Sequence, residues 1–122
     1  MAEPVKRFVI LHHTGCDLPH WDFLLEQDES LATWRLYHDH VAEGKEEWEL
    51  FRIEDHRKFY LDHEGPVPGD RGEVRQVCHG TYELREKNSQ AWAIRLRSAA
   101  LAGEFELKRV EGERWLMHRV PQ

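Results

Sequence analysis

The stretch HHTGCDLPHWDF, residues 12–23, holds three of the nine histidines of the chain beside two aspartates, a cysteine and a tryptophan. Imidazole nitrogens and carboxylate oxygens are the usual donors for a divalent transition-metal ion. In HWDFLLE (20–26), read as a strand, alternate residues face opposite ways. Trp21, Phe23 and Leu25 then share an apolar face, while His20, Asp22, Leu24 and Glu26 share the other. His20 and Asp22 can aim a nitrogen and an oxygen at one point, with a third donor from His12 or His13. Two nitrogens and one oxygen suit Mn²⁺ or Zn²⁺, and three protein ligands leave positions open for water or a phosphate oxygen. The spacing H-x6-H-x-D is not a fixed metal signature, and strand histidines are often plain surface or hydrogen-bonded residues. Cys16 is a candidate soft ligand, although a single loop cysteine is more often incidental.

A second group lies in IEDHRKFYLDHEGPVPG (53–69). His56 can act as a general acid, or stabilise charge building on a phosphoryl group, with Glu54 orienting it and Tyr60 a short reach beyond. On its own the stretch also reads as an ordinary polar turn.

These groups need elements to hold them. RFVILH (7–12), HWDFLLE (20–26), LATWRLY (31–37), EWELFRIE (47–54), GEVRQVCHG (72–80), AWAIRLRS (91–98), GEFELKRV (103–110) and RWLMHR (114–119) all read as strands. Turn formers separate them, and 39–48 suits a short helix or a long loop. Eight or so short strands point to a mostly β fold, an antiparallel barrel or sandwich with short helical or loop insertions. The 122 residues make one domain, 1–122, able to bury a core without a structural metal, so any metal serves function. Cys16 and Cys78 form no disulfide framework, and MAEPVKRF has no apolar signal region, so a reducing cytoplasmic home and no membrane are expected. The net charge of −6 argues against broad gripping of duplex nucleic acid; any contact with a polynucleotide is expected to be local.

The order FVILHH…HWDFLLE…LATWRL…EDHRKFY…EGPVPGDRGEV…GTYEL…LAGEFELKRV…RWLMHR resembles the 3′-phosphoesterase domain of bacterial DNA ligase D and its small stand-alone relatives, from about Arg7 to Arg119. The resemblance implies a compact β-barrel that uses a divalent metal, manganese first and zinc second, to remove a 3′ ribonucleoside or 3′ phosphate in DNA repair. Implied partners are nucleic-acid 3′ ends and a repair ligase or polymerase, with the domain itself a monomer. Residue by residue, it implies His13, His20 and Asp22 as metal ligands, His56 and Glu54 as the second catalytic group, and Tyr60 as the tyrosine beside them.

Departures from the family pattern are informative. One extra residue separates His13 from His20, which keeps His12 as an alternative ligand. Leu24 stands where the family has a phosphate-contacting arginine, Leu11 replaces a glutamine, a further arginine aligns near Trp48, and His38 replaces a lysine. Leu24 lies about 7 Å along the strand from Asp22, and is expected to border the open site rather than fill a core. Arginine forks neutralise growing charge on phosphate, so their loss weakens the expected chemistry. Arg52, sharing strand parity with Glu54, and His38 are the expected substitutes for the clamp, whereas Arg57 and Lys58 read as surface charge. The rival readings are a weakened relative that binds nucleic-acid ends or a protein, and a small-molecule phosphoesterase.

Overall fold

Phe8 and Ile10, Phe23 and Leu25, Trp34 and Leu36, and Trp48 and Leu50 are apolar residues spaced two apart in four successive segments, and each pair is buried on one side of a strand. The computed structural model describes residues 5–121; residues 1–4, half of the MAEPVKRF start read above, and residue 122 lie outside the described residues. The strands are β1 (Lys6–Thr14), β2 (His20–Glu26), β3 (Leu31–Leu36), β4 (Glu47–His56), β5 (Gly65–Pro66), β6 (Glu73–Lys87), β7 (Ala91–Arg97), β8 (Gly103–Glu111) and β9 (Arg114–Arg119). Their order is β1-β2-β3-β4-β9-β8-β7-β6-β5, and an added β1–β6 pairing closes the ring. All pairings are antiparallel. The result is an eight-stranded barrel, with β5 a two-residue appendage on β6.

The expected strands are present, β5 is an addition, and β1 and β4 each run two residues further than expected, to Thr14 and His56. β6 runs through GTYELREK to Lys87, well past the expected end at residue 80, because its distal half pairs with β7 and its proximal half with β1. The stretch 39–48 holds only a single helical turn, α1 (His40–Glu43). Asp39 caps it by accepting from the Ala42 N–H, and Gly44, at φ 64°, ends it in the left-handed conformation. Among the described residues, no helix is long and apolar enough to cross a membrane.

The barrel interior is dominated by aromatic rings. Trp34 is met edge-on by Trp92 at 5.0 Å and by Trp115 at 5.6 Å. A second, smaller apolar cluster lies on the opposite face of β1–β3. Val9, Leu11, Leu24, Leu31 and Val74 are covered there by Tyr60, Leu61 and Val67. These three covering residues belong to the segment 57–72, which includes a 3₁₀ turn (Lys58–Leu61) and crosses the outside of the sheet. It is pinned by the Arg7–Asp62 ion pair (2.6 Å), by Lys58 to Glu26 (3.1 Å), and by the Gln76 side chain donating to the Leu61 carbonyl (3.2 Å).

Two β-bulges decide which residues face this outer layer. In β6 the register shifts opposite Ile10 and Leu11, so Cys78 faces the interior while Val74 faces outward. In β4 the pairing steps from Thr33↔Ile53 to Leu31↔His56, leaving Glu54 and Asp55 together opposite Ala32. His56 thereby turns to the outer face, away from the side that Trp48 and Leu50 occupy.

Candidate metal and phosphate site

The outer face of β1–β3 carries the cluster that the spacing suggested. Strand alternation places His13, His20 and Asp22 on that face, at the open edge of the small apolar cluster. His13 Nδ1 lies 3.2 Å from His20 Nε2, and His20 Nε2 lies 3.5 Å from Asp22 Oδ2. His20 and Asp22 are buried, with 5% and 2% of their surface exposed.

The hydrogen bonds fix the tautomers. His13 Nε2–H donates to the Arg71 carbonyl at 2.7 Å, and His20 Nδ1–H donates to the Leu18 carbonyl at 2.9 Å. Each imidazole thus spends its N–H on a backbone carbonyl and turns a lone pair inward, the arrangement that orients metal-ligating histidines. Two nitrogen lone pairs and a carboxylate then converge with no donor of their own, and only a cation or a proton satisfies that point. Donor atoms about 2.1 Å from one ion stand about 3.0–3.4 Å apart, close to the two observed separations. Among the described residues, His13, Cys16 and His20 form a group whose ligand atoms all lie within 4.8 Å of one another and could hold a metal ion, and Asp22 adjoins it through His20. Burial works to raise the Asp22 pKa, but His20 and His56 in their protonated forms, together with Arg35, outweigh it and hold the carboxyl below its ordinary range.

His12, the alternative first donor, is turned away: it pairs across the ladder with Trp21 and stacks on that ring at 4.4 Å, on the face opposite His13. Cys16 joins the cluster from the β1–β2 loop, its sulfur and one nitrogen each of His13 and His20 all lying within 4.8 Å of one another.

A cleft of about 330 Å³ opens beside the donors. Leu11, Val67 and Val74 form its apolar wall, and Asp22, His13 and His56 its polar side. His56 Nδ1 lies 3.2 Å from both the Glu54 carbonyl and Thr33 Oγ1, so its N–H is directed at the backbone and Nε2 faces the cleft, 3.8 Å from Asp22 Oδ2. The Tyr60 ring packs edge-on against it at 5.6 Å. Asp55 also borders the cleft, held by Ser30 Oγ (2.6 Å) and Gln27 (3.0 Å).

Three other expected residues lie elsewhere. Glu54 is exposed, and only its carbonyl reaches His56. Arg52 inserts toward the barrel interior, its guanidinium 4.6 Å from the Trp34 ring centroid and bonded to the Thr33 carbonyl at 3.2 Å. The β4 bulge is the cause: parity set Arg52 and His56 on one face, and the extra residue separates them. His38 borders a different cleft of about 440 Å³ with His40, Glu43 and Arg114.

Leu24 corrects a further expectation. It shares the outer face with His20 and Asp22 but is fully buried in the small apolar cluster and does not border the cleft. The positive groups that do line the cleft are Arg35, Arg57 and Arg71. Arg35 stands opposite Asp22 in the β2–β3 ladder and holds Asp22 Oδ1 at 3.3 Å through Nε. Arg71 uses Nε on the Pro68 carbonyl (2.7 Å), and Arg57 lies 5.9 Å from the Phe59 ring. Among the described residues, the terminal nitrogens of these three arginines donate no hydrogen bond to a carboxylate, which leaves them available to an anion. Arg35 was recoverable from the sequence, because LATWRL pairs with HWDFLLE across a tight turn and sets residues 22 and 35 opposite each other. Arg71 gave no such signal, since its loop approaches the site only through the fold.

An antiparallel barrel with a histidine and cysteine cluster that could hold a metal ion, beside an arginine-edged cleft on its outer wall, is the class that fold and geometry define. The family model of the DNA Ligase D 3'-phosphoesterase domain matches residues 11–110, and the chain belongs to this family. Over 98% of its length it is 29% identical to the "Multifunctional non-homologous end joining protein LigD" of Mycobacterium bovis. It has the same identity to the "Multifunctional non-homologous end joining DNA repair protein LigD" of Mycobacterium tuberculosis strains CDC 1551 and H37Rv. The chain spans 17% of the length of these relatives.

Proposed function

We propose that the protein is a divalent-metal-dependent phosphoesterase of nucleic-acid 3′ ends, removing a 3′ phosphate or a 3′ ribonucleoside during end-joining DNA repair. The observation that carries this reading is the close placement of His20 Nε2 to both His13 Nδ1 and Asp22 Oδ2, all acceptors, beside a cleft edged by arginines. A bound ion would supply Lewis acidity toward a phosphoryl oxygen and activate water. The remaining work falls to side chains of this chain. Arg35, Arg57 and Arg71 hold phosphate oxygens and neutralise charge that grows on them, taking over from the arginine absent at position 24. His56, fixed through Nδ1, presents Nε2 to the cleft and in its protonated form gives a proton to the leaving oxygen or stabilises it. Tyr60 keeps the His56 ring in place, and Glu54 contributes through its carbonyl alone. Arg52 and His38 take no part.

The test is incubation of metal-loaded protein with primers ending in a 3′ phosphate or a 3′ ribonucleotide. Trimming to a 3′ hydroxyl is expected, and His56→Ala should lower turnover by roughly a hundredfold or more with metal binding retained. Metal-loaded protein that leaves both termini intact would overturn the reading. Tight binding of those ends without turnover would favour an end-binding module, the reading toward which the net charge of −6 leans.

A further inference from the structure

The loop joining β1 to β2 doubles back over the two imidazoles because two glycines let it. Gly15 has φ 73° and Gly72 φ 86°, conformations that favour glycine. A Cβ on Gly72 would stand 2.1 Å from the Thr14 carbonyl oxygen, and one on Gly15 would stand 3.0 Å from Gly72 Cα. The loop therefore lies flush against 71–73, the same segment whose Arg71 carbonyl orients His13. This close approach places the Cys16 sulfur within 4.8 Å of a nitrogen on each of His13 and His20. Its contacts with protein are weak, 3.7 Å to the His13 carbonyl and 3.5 Å to the Leu18 carbonyl. His20, more than nine-tenths buried, spends its Nδ1–H on the Leu18 carbonyl and sets Nε2 3.2 Å from His13 Nδ1, two facing nitrogens without a donor between them.

We propose that Cys16 is a further ligand of the metal centre and makes it select a thiophilic ion of the zinc class over manganese. This rests on the metal reading above. Two imidazoles and a carboxylate form a borderline donor set that accepts manganese and zinc alike. A thiolate shifts the set toward soft ions, at about 2.3 Å from zinc compared with about 2.0–2.1 Å for nitrogen. On binding, the thiol proton passes to solvent and the sulfur bonds the ion as thiolate. Zinc expands from four to five ligands, so a phosphate oxygen can still be accepted. Cys16 is half-buried on the loop and reaches the ion by side-chain rotation, whereas Cys78 is enclosed in the barrel interior.

Cobalt(II) titration of the metal-free chain tests this, because tetrahedral cobalt gives visible d–d bands and a thiolate ligand adds a near-ultraviolet charge-transfer band. The wild type should show both, and Cys16→Ser and Cys16→Ala should keep the d–d bands and lose the charge-transfer band. Zinc affinity should fall at least roughly tenfold in these variants while manganese affinity holds. Cobalt bound without the charge-transfer band in the wild type, or a band that survives in both variants, would overturn the proposal and leave the two-histidine, one-aspartate site standing. Absence of cobalt and manganese binding altogether would overturn the metal reading on which it rests.

Discussion

The two faces of β2 are built to opposite ends. Phe23 and Leu25 turn into the barrel, where Trp34, Trp48, Trp92 and Trp115 fill the space and every strand of the ring contributes a residue. His20, Asp22, Leu24 and Glu26 turn outward, where the 57–72 segment and, over His20, the β1–β2 loop give a partial cover. The interior is held by dispersion and burial spread over eight strands, so no single polar pair is needed there. The outer layer is shallow, and where its apolar cover stops the buried polar groups of the site begin. The proposed cation site would gain from that boundary: His20 and Asp22 are dry enough for strong electrostatics, while the cleft beside them is open to solvent.

The contrast predicts that the two layers fail separately, and the largest effect should come from the interior. Trp34→Ala removes the ring on which Trp92, Trp115 and Arg52 converge, at a cost of about 3–5 kcal/mol. Thermal denaturation should show the whole chain destabilised, with near-ultraviolet and far-ultraviolet signals lost together. A separate early transition in this variant would mean the interior is not one unit.

Leu61→Ala should cost about 2–3 kcal/mol, and mostly locally. Its side chain touches the outer cluster alone, so amide exchange should rise across 57–72 and in the outward-facing half of β1, with the β7–β9 amides unchanged. Metal affinity should fall as well, because the Arg71 carbonyl that holds His13 travels with this segment. Uniform acceleration of exchange throughout the barrel would show that the two layers form a single cooperative body.

The smallest effect concerns pH. Burial works to raise the Glu26 pKa, but the Arg7 backbone N–H and the Lys58 ammonium outweigh it and leave the carboxyl below its ordinary value of 4.5. A depressed carboxyl adds stability that is fully present above pH 4.5 and is lost as pH falls through the folded value. Acid should therefore loosen the 57–72 segment, followed by exchange or limited proteolysis, and Glu26→Gln should reduce this dependence, leaving the part carried by the Arg7–Asp62 pair, at a cost of about 0.5–1 kcal/mol at neutral pH. Identical acid sensitivity in the variant would place the trigger elsewhere.

What the sequence by itself determined follows from period-two alternation and adjacency. The strands of the barrel, the common face of His20 and Asp22, and the cross-strand position of Arg35 all come from residues near one another along the chain or across a tight turn. Which of His12 and His13 shares a face with His20 and Asp22 was open in the spacing and follows in the structure from the side of β1 each occupies. Tertiary structure alone decided the rest. The β4 bulge separated His56 from Arg52, and the β6 bulge sent Val74 outward, because an added residue reverses facing in a way that uninterrupted alternation cannot express. Leu24 became core rather than cleft only because a segment more than thirty residues downstream folds over it, and Arg71 reached the site on that same segment. Strand alternation tells which residues share a face; what comes to cover that face depends on long-range packing.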